Sequence, residues 1–428
     1  MIPDSGGLSL DQAPPLHQVM SFFIVAPLAV IAASGLIIET PQALFLAPAL
    51  PSTVALTHLG TLGVLAAVML GAFYQLCPVL GGVRVPKPGL SYLVHAGLIV
   101  GLSSLVWGLT TGSTVALKVS AHTLPLMFLT FLVPVGIALK KARPIHTIIG
   151  MRISLACVAT AVLLGAWLEL GYTGEPVPGT RSLWMQVHLS LGLLGWVGGL
   201  LMAVSWQLVP MFYLTPAIDS KLSAGSLWVL GLSISVTVLL LPLDGAGLLG
   251  SIDPGLIAAL TLLPSVLVIW VVHPLSILHA LKKRRRKRVD PSKNYWVAAM
   301  YTAPLVLLTA LLTLWSSDPR WGLTFGWLAI WGWAGVAIHG MLTRIIPFLV
   351  WFHRFSHRIG KEPVPSVRKL YPAASATREL WMHEASVVLG VCAIWFRVPF
   401  MATIVGLVLL LTGGAMLLSM VRILRWKV

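Results

Sequence analysis

Long apolar runs alternate with short polar connections along the chain. A helix that crosses a bilayer needs about 17–25 such residues, and these runs are too long and too uniformly apolar for barrel strands. The pattern therefore predicts an all-α integral membrane protein with twelve transmembrane helices, in which residues 1–428 form a single membrane domain. The predicted spans are 18–38, 52–78, 90–112, 118–139, 147–170, 183–213, 223–243, 254–281, 295–316, 321–351, 380–396 and 400–422.

The composition agrees with this interpretation. Of 428 residues, 57% are hydrophobic and 10% are charged, and the mean hydropathy is +0.91. A soluble domain has about a quarter of its residues charged, so a soluble protein of this size is excluded. The three cysteines lie in apolar runs without a Cys-x-x-Cys pair, and we therefore expect neither a disulfide nor a zinc site.

The cationic residues are distributed unevenly between the two sides of the predicted membrane. If the N-terminus is inside, 25 of the 29 Lys and Arg residues lie on the cytoplasmic side, including the run KKRRRKR at 282–288. The positive-inside rule then places both termini in the cytoplasm of a plasma (inner) membrane. The basic run is predicted to contact anionic lipids rather than nucleic acid. The four outer cations are Lys118, Arg181, Arg320 and Arg397.

Spans 2, 6 and 10 share a sequence pattern. GTLGVLAAVMLGAFYQLCP at 60–78 aligns without a gap with GLLGWVGGLLMAVSWQLVP at 192–210, and WGWAGVAIHGMLTRIIP at 331–347 aligns with the second of these. The period of four spans predicts three four-helix units around a pseudo-threefold axis. The alternative is a chance alignment of Gly-rich helices, because small residues are common where membrane helices pack. The predicted units are 18–139, 147–281 and 295–422.

Three histidines lie at similar depth near the outer ends of spans 2, 4 and 6: His58, His122 and His188. Neutral imidazole is a good ligand for haem iron, and apolar helices would solvate a porphyrin. Lys118 lies one turn outside His122, and Arg181 lies two turns outside His188, so both are candidates to bind haem propionates. The alternative is three unrelated, hydrogen-bonded histidines.

The His near the outer end of span 6, followed by Leu-Gly-Trp-Val-Gly and a Leu-x-Pro exit, resembles helix 10 of subunit I in C-type heme–copper oxidases. That family has twelve helices in a pseudo-threefold arrangement, and the NnrS family of membrane haem proteins is similar in length. The family's His-x-His is reduced here to His188 followed by Leu189 and Ser190, while His58 aligns with Ser190. The resemblance implies a haem b between spans 2 and 6, ligated by His58 and His188, with His122 beside it or replacing one ligand.

Departures from the family pattern change the expected chemistry. The only His of span 10, His339, lies about three turns deeper than the family's ligands, and span 7 lacks the His pair that would bind copper. No Tyr follows His188 in the position of the cross-linked residue. We therefore expect neither a copper centre nor a functional cytochrome oxidase. Glu169 is the main acidic residue in a predicted span, so proton pumping is not expected.

Three classes of function remain compatible with the sequence. The first is a membrane haem protein, which either transfers electrons between a quinone and an outer-face electron-transfer protein, as an oxidoreductase, or binds nitric oxide. The second is a multi-pass transporter or exporter of haem, metal or a small solute; repeats are typical of transporters, but no midplane carboxylate is evident. The third is an assembly partner without a cofactor, whose 17 tryptophans form interfacial belts.

Overall fold

The computed structural model describes residues 14–176, 181–245, 254–285 and 290–426. Within these ranges the protein consists of helices and their connections, with no strand. Twelve helices are long and apolar enough to cross a membrane, which confirms the predicted all-α membrane fold. We number them α1 to α12: Leu16–Glu39, Pro51–Gly81, Leu90–Thr111, Thr114–Lys141, His146–Thr173, Arg181–Tyr213, Ser220–Leu240, Leu256–Lys282, Pro291–Trp315, Pro319–Arg358, Ala373–Phe396 and Pro399–Leu424.

The long connection predicted at 352–379 is shorter in the structure. Helix α10 continues to Arg358, and α11 begins at Ala373 rather than at residue 380. Pro372, in extended conformation, caps the N-terminus of α11. Hydropathy misplaces this start because Arg378 and Glu379 lower the apolar score, whereas a helix satisfies its backbone groups whatever its side chains are. The extra turns bring Glu379 into the helix bundle.

The three helices that share the sequence pattern are the most buried of the twelve. In the most apolar stretches of α2, α6 and α10, 78%, 78% and 72% of the residues are buried, against 33–56% in the other helices. Gly60 of α2 lies so close to α10 that an added Cβ would be 2.8 Å from Cγ2 of Ile330. Small residues of this kind let membrane helices approach closely. Helices α2, α6 and α10 are therefore the most closely surrounded of the twelve.

Each of these three helices contains a π-helical segment. The segments are Leu59–Ala66, Ser190–Gly198 and Leu328–Gly335, which are equivalent positions in the sequence alignment. A shorter one, Val268–Val272, occurs in α8. The i→i+5 hydrogen bonds of a π-helix widen the turn, and such segments often accompany functional sites. The shared geometry supports the repeat, while the arrangement of three units around an axis stays a prediction.

The last helix packs on the first. An added Cβ at Gly406 of α12 would lie 3.1 Å from the carbonyl oxygen of Ser34 in α1, and one at Gly413 would lie 3.0 Å from that of Pro27. Glycine is needed at both positions because the α1 backbone occupies the space that a side chain would fill. The contact joins the two ends of the described chain.

Candidate functional site

Two histidine rings from different spans meet at the level where the π-helical segments begin. His58 lies two turns into α2, directly before Leu59–Ala66, and His188 lies two turns into α6, just before Ser190–Gly198. Their ring centroids are 6.3 Å apart and their planes are tilted by 31°. Both side chains are half-buried. The structure thus brings together the two residues that the sequence singled out as a ligand pair.

Hydrogen bonds orient both rings in the same way. Nδ1 of His58 donates to the carbonyl oxygen of Val54, 2.8 Å away, and Nδ1 of His188 donates to that of Ala161 in α5, also 2.8 Å away. A carbonyl can only accept, so the hydrogen of each neutral ring is on Nδ1 and the lone pair is on Nε2. Neither Nε2 has a hydrogen-bond partner among the described residues. Metal-binding histidines have this arrangement, in which the second nitrogen is held by a carbonyl or carboxylate.

The ring separation fits two ligands of one metal ion. Two metal–nitrogen bonds of about 2 Å and two ring half-widths of roughly 1.2 Å would span about 6.4 Å if both Nε2 atoms faced one metal from opposite sides, and the observed separation is 6.3 Å. A bare metal ion needs three or four protein ligands, and no such group of His, Cys, Asp or Glu occurs in the part of the chain that the structure describes. A haem needs only two axial ligands from the protein. The residues present therefore fit a haem iron better than a free ion.

Helix α5 shapes the His188 side of the site. Gly165 lies one turn after Ala161, and an added Cβ there would be 2.9 Å from Cε1 of the His188 ring. The glycine leaves the room that this ring orientation requires. One turn further, Glu169 is buried, and one of its carboxylate oxygens accepts a hydrogen bond of 3.3 Å from the Ser120 hydroxyl. A buried carboxyl group therefore lies on α5 near the histidine pair.

The other predicted site residues lie at the periphery. His122 is exposed, and its Nδ1 donates to the carbonyl oxygen of Lys118 at 2.6 Å. Across the described ranges, no hydrogen bond or ring contact joins His122 to His58 or His188. Lys118 is exposed, and the Arg181 guanidinium lies 4.2 Å from the centre of the Tyr172 ring. Their roles as propionate partners, and His122 as a ligand, stay predictions.

A second buried polar cluster lies between α10 and α11. Glu379 and His383 of α11 and His339 of α10 are each at most 3% exposed. Because α11 begins at Ala373, Glu379 lies within the span, and the predicted start at residue 380, which placed it outside, was wrong. Glu379 and His383 are four residues apart, and residues at this spacing share a helix face. This spacing could have indicated that the two side chains lie together. The predicted start of span 11 at residue 380 placed Glu379 outside the helix, however.

The relationship of this chain to known proteins is not visible at the sequence level. A comparison with models of protein families finds no match, and a comparison with curated proteins finds none either. The resemblance to heme–copper oxidases and to the NnrS family therefore stays a prediction. A helical membrane fold supports many unrelated functions, so the function of this chain has to be argued from its sites.

Proposed function

We propose that this chain is a haem-binding membrane protein in which His58 and His188 are the two axial ligands of one haem b. The observation that carries the proposal is the pair of rings 6.3 Å apart, with each Nδ1 hydrogen-bonded to a backbone carbonyl and neither Nε2 hydrogen-bonded among the described residues. His122 makes the same kind of Nδ1 contact, so what distinguishes His58 and His188 is that their two rings lie side by side.

A haem in this position would supply one-electron redox chemistry. The residues of the chain would supply orientation and exclusion of water. The carbonyls of Val54 and Ala161 hold the rings and raise the basicity of the free nitrogens, while the apolar residues of α2 and α6 keep water away. With both histidines bound to the iron, no position would be left for nitric oxide, so the pair favours electron transfer over nitric oxide binding.

The proposal also includes the membrane location of the protein and its electron-transfer partners. The chain would lie in the plasma (inner) membrane with both termini in the cytoplasm, related to subunit I of heme–copper oxidases but without their oxygen-reducing centre. The electron partners would be a quinone and an outer-face electron-transfer protein. Anionic lipids would contact the basic run at 282–288, of which residues 286–288 lie outside the described residues.

A visible spectrum tests the proposal. The protein purified in detergent should show a Soret band and, in the reduced-minus-oxidised difference, the α-band of a six-coordinate low-spin haem. His58→Ala and His188→Ala should each abolish the low-spin signature. His357→Ala is the matched control, since His357 is an exposed histidine in the last turn of α10, and its spectrum should equal that of the wild type.

Two outcomes would contradict the assignment. A sample without a Soret band and without iron by elemental analysis would remove haem from consideration. A low-spin spectrum that survives in both His58→Ala and His188→Ala would show that other residues ligate the iron. The first outcome would favour a multi-pass transporter, a function for which the buried carboxyl group of Glu379 is the specific supporting observation.

A further inference from the structure

The polar cluster in α10 and α11 is a chain of three short contacts. Nε2 of His383 lies 3.1 Å from the carbonyl oxygen of Trp331, and its Nδ1 lies 3.0 Å from Nδ1 of His339. Nε2 of His339 lies 3.4 Å from Oε2 of Glu379. The Glu379 carboxyl group also accepts a hydrogen bond of 2.5 Å from the Ser419 hydroxyl of α12. The two rings and the carboxyl group thus form a continuous path, here called the His–His–Glu triad.

The triad needs three hydrogens to make these contacts. The Trp331 carbonyl can only accept, so His383 carries a hydrogen on Nε2. The contact between the two rings needs one hydrogen on one of the facing nitrogens, and the contact between His339 and Glu379 needs another. Two neutral imidazoles and an ionised carboxylate hold only two. With all three contacts made as hydrogen bonds, the triad holds one additional proton, which makes it electrically neutral as a whole.

Removing that proton would be costly. One contact would then place lone pairs against each other, and the triad would carry a net negative charge among apolar helices. An uncompensated charge in the interior of a membrane protein is strongly unfavourable, and a buried polar group without a partner adds its own desolvation cost. Burial of the three side chains therefore stabilises the bound proton.

Groups from every neighbouring element face the triad. From α9, the Tyr295 ring contacts the His339 ring edge-on with centroids 4.9 Å apart, and its hydroxyl donates to the carbonyl oxygen of Ala376. From α10, Trp331 stacks on His383 at 3.8 Å. From α11 and the connection before it, Glu384 interacts electrostatically with Tyr295, and the exposed Arg378 interacts with Tyr371, which neighbours Glu379.

A small cavity lies beside the triad, on the side of the 359–372 connection. This cavity of about 20 Å³ adjoins His339 and Glu379 and is lined on its polar side by Thr343, Tyr371 and Ser419. This volume is enough for about one water molecule. Burial, followed by the neighbouring Glu379, raises the pKa of Tyr371, so its hydroxyl stays protonated and able to donate. Tyr371 belongs to the 359–372 connection at the predicted cytoplasmic face.

We infer that His339, His383 and Glu379 form a proton-binding site, which holds one exchangeable proton and communicates through this cavity with the face that carries the 359–372 connection. The site binds H⁺ by protonation of an imidazole or carboxylate in the triad, and no other bond forms or breaks. It is separate from His58 and His188, and it does not depend on the presence of haem.

Counting the protons released on unfolding tests this inference. The detergent-solubilised protein is denatured at pH 8 in weak buffer with an indicator dye. In an unfolded chain at this pH, imidazoles are neutral and carboxylates ionised, so the triad should release one proton. Glu379→Gln supplies the needed hydrogen covalently from its amide and should release one proton fewer than the wild type. Glu362→Gln is the control, because Glu362 is exposed beside Arg358, and it should match the wild type.

A second variant covers the case in which Glu379→Gln does not fold. The double variant His339→Leu/Glu379→Leu replaces the buried pair by apolar side chains, a change that is often neutral or stabilising, and it too should release one proton fewer than the wild type. If folded Glu379→Gln or the folded double variant released as many protons as the wild type, the inference would be overturned. A haem contributes equally to all four proteins, so this result is independent of the spectroscopic test of His58 and His188.

Discussion

The rings of His58 and His188 lie 6.3 Å apart, but they are held by different means. His58 donates to a carbonyl one turn back in its own helix, whereas His188 donates across to Ala161 of α5. The orientation of His58 is therefore local, and that of His188 depends on how α5 packs against α6. The pair should be more sensitive to changes in α5 than to changes in the turn that precedes His58.

Gly165→Ala should displace the His188 ring. The added Cβ would lie 2.9 Å from Cε1 of that ring, closer than real side chains pack, so the ring must rotate away from its acceptor. Loss of residues that orient a metal-binding histidine typically weakens metal binding by about 10–100-fold, and we expect a loss in this range. Haem titration followed at the Soret band measures it.

Gly136→Ala is the control for this experiment. Gly136 lies in α4, five residues before that helix ends at Lys141, and an added Cβ there would meet no atom within 4 Å. Its haem affinity should equal that of the wild type. Equal affinities in Gly165→Ala and the wild type would show that the contact with α5 does not position the ligand.

Gly390→Ala should destabilise the packing of α10 on α11. An added Cβ would lie 2.2 Å from Cε2 of Trp327, whose indole donates to the carbonyl oxygen of Val387 at 3.0 Å. Overpacking of a rigid ring costs about 1–3 kcal/mol, which thermal unfolding should show as a lower midpoint. Gly414→Ala, where the space is open, should not lower it. A similar midpoint for both variants would contradict the close approach of Trp327.

Arg344→Met should remove the ion pair that joins α10 to the start of α9. The Arg344 guanidinium lies 2.5 Å from Oδ2 of Asp290 and donates to the carbonyl oxygen of Phe212 at 3.2 Å. Removing one partner of a fully buried pair costs about 3–5 kcal/mol. This pair is partly exposed, so we expect a smaller loss of about 1–3 kcal/mol in the free energy of unfolding.

The exposed pair of Arg358 and Glu362, 3.3 Å apart, provides the comparison. Arg358→Met should cost less than about 1 kcal/mol, because solvent screens an exposed ion pair. Chemical denaturation of the two variants in the same detergent measures both losses. A cost for Arg344→Met no larger than that for Arg358→Met would mean that the partly buried pair contributes nothing beyond a surface contact.

Asp318 should make stability depend on pH in the acid range. Hydrogen bonds from Arg320 lower the pKa of its carboxyl group from 3.8 to about 2. A pKa that is lower in the folded state gives stability that is present above the unfolded value and lost as the pH falls through the folded one. The thermal midpoint of the wild type should therefore exceed that of Asp318→Asn most clearly above about pH 4. The difference should disappear near pH 2, and a constant difference would contradict the role of the charge.

Hydropathy located all twelve helices because lipid imposes one requirement on every span, an apolar stretch of sufficient length. It misplaced the start of α11, where Arg378 and Glu379 interrupt the apolar run although the backbone continues as a helix. Glu379 therefore fell outside the predicted span, although it lies one turn from His383 in α11. Hydropathy does not predict the π-helical segments. They depend on which hydrogen bonds the backbone makes, and the helix is apolar in either case.

By itself, the sequence determined the membrane fold, the number of spans and the depth of His58, His122 and His188, because hydropathy and helical rise depend on position along the chain alone. Only the tertiary structure decided which of these histidines meet. Depth does not specify the direction in which a side chain leaves its helix, and packing turned His58 and His188 toward each other and His122 to the exposed surface. The same packing placed His339 against His383, since contacts between helices depend on rotation about their axes, which span length leaves open.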